Sequence, residues 1–185
     1  ITYGDWSSDV CSSDLGLPNR RAFMERLHAE ASRVSRCGAS VAVVVLDIDL
    51  FKSVNDSLGH SEGDRVVSAV AEWIGGAVRT SDMPARIGGD EFAILMPDTS
   101  AVEAKETAER IRLTVMLRGQ GEAPKLGHGI TVSAGVAPLV SGASAEDTLL
   151  SADESLYEAK RRGRNSVVCQ REARSAGRGT PSLVH

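Results

Sequence analysis

Four acids fall in two short runs, Asp47 and Asp49 in VVVLDIDLF and Asp90 and Glu91 in ARIGGDEFAILMP, each beside apolar or β-branched residues. A buried strand that turns acidic at its far end is a site signal, because carboxylates there can hold a cation or accept a proton. If the strand ending at Asp47 lies beside the turn carrying Asp90 and Glu91, the carboxylates converge, which is costly without a bound cation. Asp47 and Asp49 on their own would be read as a solvated strand end. The intact second run favours metal binding for Asp47, while Asp49, two residues on and on the same strand face, stays ambiguous. No GxxxxGK[ST] segment occurs, so phosphates would be held by lysines rather than by a P-loop. Lys52 follows the acidic strand closely enough to reach them. Lys160 and Arg164 suit the C-terminal dipole of a helix ending before Gly163.

The elements that must position these groups follow from periodicity. Asn19 caps a helix over 20–36, with Phe23, Leu27 and Ala31 on one face and Cys37 and Gly38 at its end. The run from Val41 predicts a strand buried on both faces. After a polar turn, the spacing of Val66, Val70, Trp73 and Ala77, flanked by Val67, Ile74 and Val78, predicts a helix over 64–79. Gly88 and Gly89 between short apolar stretches predict a tight hairpin whose turn needs positive φ, with Asp90 and Glu91 at its tip. Ala104, Ala108, Ile111 and Val115 mark a further helix, followed by the strand GITVSAGVAPLV. Leu149, Ala152, Leu156 and Ala159 face inward on a last helix, and a short strand over 166–168 closes the set. The hairpin rules out an all-parallel sheet and leaves an α/β (α+β) sandwich with a mixed or antiparallel sheet.

The chain has 185 residues and 42% hydrophobic content, enough for one core and not for two. A net charge of −4 argues against nucleic acid or an anionic membrane as partner. Three scattered cysteines, Cys11, Cys37 and Cys169, fit a reducing, cytoplasmic setting, and the longest apolar run is too short to span a bilayer. Residues 1–15, ITYGDWSSDVCSSDL, repeat SSD without helical or strand period; DWSSDVCSSDL resembles a translated sequencing adapter and is set aside from fold reasoning. Residues 170–185 read as a flexible tail, leaving 16–169 as the domain.

In order along the chain, GLPNRRAF, LDIDLFKSVNDSLGHSEGD, RTSDMPARIGGDEFAIL, ITVSAGVA and LYEAKRRGRN resemble the GGDEF family of diguanylate cyclases, over essentially Gly16 to Val168. One departure stands at the start, where Ser13, Asp14 and Leu15 precede GLPNR in place of the family's Asp, two residues, then Thr. The resemblance implies a central, mainly antiparallel five-stranded sheet flanked by helices, related to adenylyl cyclase catalytic domains and polymerase palms. It implies condensation of two GTP into cyclic di-GMP with release of pyrophosphate, with magnesium as cofactor and manganese as the alternative ion.

Carried over residue by residue, the resemblance assigns metal binding to Asp47, Asp90, Glu91 and the backbone carbonyl of Ile48. Catalysis falls to Asp90 as proton acceptor, to Glu91, and to Lys52 as transition-state cation. Lys160 and Arg164 become triphosphate contacts, and Gly88 and Gly89 allow the nucleotide close to the backbone. Asn55 and Asp64 match guanine readers, an amide and a carboxylate for the base's acceptor and donors, and His60 matches a substrate contact. Arg79 and Asp82 form RxxD nine and six residues before Gly88; with Arg110 they match a site where cyclic di-GMP inhibits its own synthesis. Left to themselves, Arg79 and Asp82 would be an i, i+3 ion pair at a helix end. Activity would need a homodimer, because the product's two bonds require two facing half-sites. The family also implies an upstream sensory or receiver domain, missing from this chain, through which the full-length protein could be anchored to a membrane. The rival expectation is a non-catalytic module that only binds GTP or cyclic di-GMP.

Overall fold

A computed structural model describes residues 16–120 and 129–170. The expectations for residues 1–15 and for the tail beyond Gln170 lie outside the described residues.

Helix α1 (Arg20–Cys37) starts at Asn19, whose side chain accepts from Ala22 N at 3.0 Å, and stops at Gly38 in the left-handed conformation. Strand β1 (Val41–Ile48) is buried throughout and forms the centre of the sheet. The polar turn expected after it is instead helix α2 (Phe51–Leu58), and the next helix, α3, begins at His60 and ends at Ala77. The heptad-like placement of Phe51, Val54 and Leu58 carries the missed helix, and all three meet the core. Gly59, at φ 86°, separates α2 from α3.

β2 (Met83–Arg86) and β3 (Glu91–Pro97) form the expected hairpin, followed by α4 (Ala101–Arg118), β4 (Val132–Pro138), α5 (Ala145–Arg161) and β5 (Val167–Cys169), the last one residue later than expected. The strand order is β2-β3-β1-β4-β5. Three of the four pairings are antiparallel and only β4 with β5 is parallel, so the sheet is mainly antiparallel, as the resemblance implies.

Alternation along β1 sorts the core into two layers. Val41, Val43 and Val45 pack with Phe23 and Leu27 of α1 and Leu149, Ala152 and Leu156 of α5. Ala42, Val44, Leu46 and Ile48 face α3 and α4 through Val70, Ile74, Ala108 and Ile111. Every apolar position expected to face inward on α4 and α5 does so.

Candidate active site

The odd-numbered face of β1 looks toward α5, and Asp47 is the last residue on it. Its side of the ladder is set by register: Asp47 stands opposite Glu91 on β3 and opposite Ser133 on β4. Ile48 N donates to Asp90 O at 3.2 Å, which brings the hairpin tip against the end of β1. Directly opposed carboxylates on one sheet face are unfavourable, and here one of them is also buried. Asp47 is 8% exposed. Burial pushes its carboxyl above the ordinary range; Lys160, whose Nζ lies 2.8 Å from Asp47 Oδ2, opposes the shift, and the charges of Asp90 and Glu91 add to it.

Register therefore brings the backbones of Asp47, Ile48, Asp90 and Glu91 to one strand end, and Lys160 pairs with Asp47, a contact the sequence did not announce; the expected convergence of three carboxylates is not found among the described residues. Among the described residues no three His, Cys, Asp or Glu side chains surround a single point. A carboxylate or two and a carbonyl on one sheet end, rather than a closed cage, fit a magnesium-like ion that completes its octahedron from phosphate and water.

Asp153 of α5 joins this neighbourhood unannounced. Desolvation raises its carboxyl first, Glu91 raises it further, and Arg20 and Lys160 pull it back. Its spacing seven residues before Lys160, two helical turns, was the available signal.

The hairpin tip is closed by Ile87 N and Gly88 N, which donate to Glu91 O at 2.9 and 3.2 Å. Arg86 clamps it from below, Nε donating to Gly88 O at 3.1 Å and a guanidinium NH to Gly89 O at 2.7 Å. The expected positive φ is not found at either glycine. At Gly88 a Cβ would crowd the Glu91 side chain, which would have to shift, whereas Gly89 faces open space. Arg86 went unread because one arginine in a strand carries no periodic signature.

On the other side of β1, the chain turns through Leu50 at φ 56° into α2, which carries Lys52 at an exposed position. Asn55 is half-buried against α3: a Cβ on Gly63 would collide with its side-chain oxygen and meet Phe51 Cζ at 3.2 Å. The absence of a side chain at Gly63 thus lets Asn55 pack against the residue that precedes Asp64 in the chain; Asp64 is exposed, as is His60 at the start of α3.

Asp49 faces elsewhere. Thr131 Oγ1 donates to its Oδ2 at 2.7 Å, Ser133 Oγ to its Oδ1 at 2.7 Å, and Asn165 N to its Oδ2 at 3.0 Å. Arg164 and Asn165 take left-handed backbone, at φ 65° and 42°, in the turn that follows α5.

The RxxD residues lie at the opposite end of α3. No ion pair joins them; the buried Asp82 accepts from Arg79 N at 2.9 Å, and Asp82 N donates to Arg79 O at 3.0 Å, leaving the Arg79 side chain exposed. Arg110 of α4 donates to Ala77 O at 2.8 Å, which brings it to the same turn. A shallow groove of about 600 Å³ runs along α4 beside it, lined by Val102, Lys105, Glu106, Glu109 and Leu113.

The model of the family described as "Diguanylate cyclase, GGDEF domain" matches residues 15–166. The chain is 39% identical over 172 residues to the response regulator PleD of Caulobacter vibrioides, covering 89% of this chain and 37% of that protein. It is also 39% identical over 155 residues to the diguanylate cyclase DgcP of Pseudomonas aeruginosa, covering 82% of this chain and 22% of that one. The chain thus spans well under half the length of these curated relatives. Among solved structures, the coiled coil and GGDEF domain of DgcB from Caulobacter crescentus in complex with c-di-GMP superposes with a TM-score of 0.79 at 37% identity, covering 84% of this chain and 83% of that one. The active GGEEF domain of a diguanylate cyclase from Vibrio cholerae gives 0.76 at 31% identity, covering 84% and 98%.

Proposed function

The chain belongs to the GGDEF family of diguanylate cyclases, and on that premise we propose that it condenses two molecules of GTP into cyclic di-GMP, releasing pyrophosphate from each. The observation that carries this reading is the register of β1 with β3, which sets Asp47 opposite Glu91 and Ile48 beside Asp90, with Lys160 reaching over the same strand end. Residues 16–169 are the catalytic unit in this reading.

Each half-site holds one nucleotide. Asn55 and Asp64 read the guanine edge, and an adenine there would leave both side chains unpaired. His60, at the mouth of the same α2–α3 corner, adds a substrate contact. Lys160 and Arg164 bind the triphosphate, and the bare Gly88–Gly89 tip lets the nucleotide approach the backbone. Asp90 accepts the proton of the 3′-hydroxyl as its oxygen attacks the α-phosphorus of the facing GTP and the bond to pyrophosphate breaks. Lys52 offsets the negative charge that develops on the phosphoryl oxygens. Asp47, Glu91, Asp90 and the Ile48 carbonyl would hold magnesium, or manganese in its place, which supplies charge neutralisation at the phosphates. Two copies must face each other, since one half-site cannot form both bonds.

At the other end of α3, Arg79, Asp82 and Arg110 form a site for the product, and its occupation inhibits synthesis. The DgcB structures in complex with c-di-GMP support a family affinity for that ligand. Among the described residues no helix is long and apolar enough to cross a membrane; GTP supply places the domain on the cytoplasmic side.

Incubating the chain with GTP and magnesium, alone and fused to a dimerising helix, tests the reaction by chromatography. Cyclic di-GMP formed by the unaltered chain and not by Asp90→Ala establishes the cyclase. No product even from the forced dimer would leave a nucleotide-binding module.

A further inference from the structure

Asp49 is an acid for which the proposed chemistry has no use. It is 5% exposed, and its three donors, Thr131 Oγ1, Ser133 Oγ and Asn165 N, replace the water that burial removes. Its own N–H donates to Thr131 O at 2.9 Å. The donors come from the two ends of a layer: Thr131 and Ser133 from the start of β4, Asn165 from the turn between α5 and β5.

Backbone strain gathers around this one carboxylate. Leu50, the next residue, has φ 56°, and Arg164 and Asn165 have φ 65° and 42°. Left-handed backbone costs a non-glycine residue about 1–2 kcal/mol and persists where its surroundings over-determine it. Asn165 is held at three points: its N–H by Asp49, its Oδ1 by Arg112 at 2.9 Å, and its Nδ2 on Met116 Sδ at 3.4 Å. Arg164 itself is exposed, so packing does not hold its side chain, and the turn fixes only the direction in which that side chain leaves the backbone.

We infer that Asp49 is a positioning residue for triphosphate binding: by fixing the Arg164–Asn165 turn, it directs Arg164 toward the triphosphate, while Lys160 is held separately by Asp47. The inference rests on the proposed phosphate contacts of Lys160 and Arg164. Both oxygens of Asp49 already accept strong hydrogen bonds, which sets it apart from Asp47, two residues earlier, whose Oδ2 meets a lysine. Asp49 acts through Arg164, so its removal has nothing left to change once Arg164 is gone.

The test is a double-mutant cycle in the full 185-residue chain, read by calorimetric binding of guanosine 5′-(α,β-methylene)triphosphate with magnesium. Asp49→Ala and Arg164→Ala each weaken binding on the order of tenfold, and the double variant binds no more weakly than Arg164→Ala alone. Asp49→Asn restores most of the affinity, because its amide oxygen still accepts from Thr131 and Asn165 while its NH₂ donates to the Ser133 hydroxyl. Amide exchange at Asn165 quickens in Asp49→Ala while the β1 amides stay protected. Should Asp49→Ala fail to fold, Thr131→Val carries the same cycle with a loss of about threefold that vanishes beside Arg164→Ala.

Losses that multiply to about a hundredfold in the double variant overturn the inference. So does a fall in manganese affinity of Asp49→Asn without nucleotide, which would make Asp49 a metal ligand. If the unaltered chain does not bind the analogue, the proposed function is what fails; exchange at Asn165 then decides the positioning, and exchange unchanged by Asp49→Ala refutes it.

Discussion

Helix α3 runs about 27 Å from His60 to Ala77, and its two ends treat charge in opposite ways. At the N-terminal end, Asp64 and His60 are exposed, and the neighbouring strand end sets Asp47 against Glu91 and Asp90. At the C-terminal end, Asp82 is buried yet supplied by Arg79 N, and Arg110 is pinned to Ala77 O. The first arrangement holds acids in mutual repulsion that Lys160 offsets in part. The second is complete as it stands, with Arg79 left projecting. One end of the helix thus lies beside an electrostatically frustrated strand end, and the other is satisfied; on the proposed reading the first is the site of chemistry and the second of its control.

Breaking the frustrated end has the largest effect. Asp90→Ala should lower cyclic di-GMP formation on the order of a thousandfold, while calorimetric affinity for cyclic di-GMP stays within twofold. A parallel loss of product affinity would mean the two ends are not separate. At the satisfied end, Arg79→Ala should relieve product inhibition by about tenfold to a hundredfold, because it deletes a charge-assisted donor. The initial rate, before product accumulates, should be unchanged; a slower one would place Arg79 in the catalytic machinery.

Asp82→Ala removes a buried acceptor and leaves Arg79 N without its partner, so it should destabilise by about 1–3 kcal/mol, a few degrees in Tm or more. Asp47→Asn should do the reverse. Burial and the neighbouring acids raise Asp47, so the folded state binds this proton more tightly than the unfolded chain does. Its ionisation therefore costs stability above the folded pKa, and that cost disappears as pH falls below the ordinary aspartate range. The amide should raise Tm at pH 7, and the gain should vanish near pH 3. Thermal melts at the two pH values check the sign; a Tm lowered at pH 7 would show that the Lys160–Asp47 pair outweighs desolvation.

Much of the fold was legible because its information is local. The 3.6-residue period of α4 and α5 named their buried faces, and Asn19 and Gly38 marked both ends of α1. Helix α2 escaped since eight residues with three inward apolar positions read equally well as a polar turn. Gly88 and Gly89 announced a hairpin correctly but for the wrong cause, as neither takes positive φ and what Gly88 leaves room for is the Glu91 side chain.

By itself the sequence determined which residue types stand at each element's end, and five ordered motifs were enough to identify the family. Only the tertiary structure decided how they meet. The partners of Asp49 lie 82, 84 and 116 residues away, Arg110 reaches Ala77 across 33, and Lys160 meets Asp47 from the last helix. Periodicity reports which face of an element is buried, but not which distant group is brought against it. That depends on strand order and register, which place β4 and α5 over the acidic end of β1.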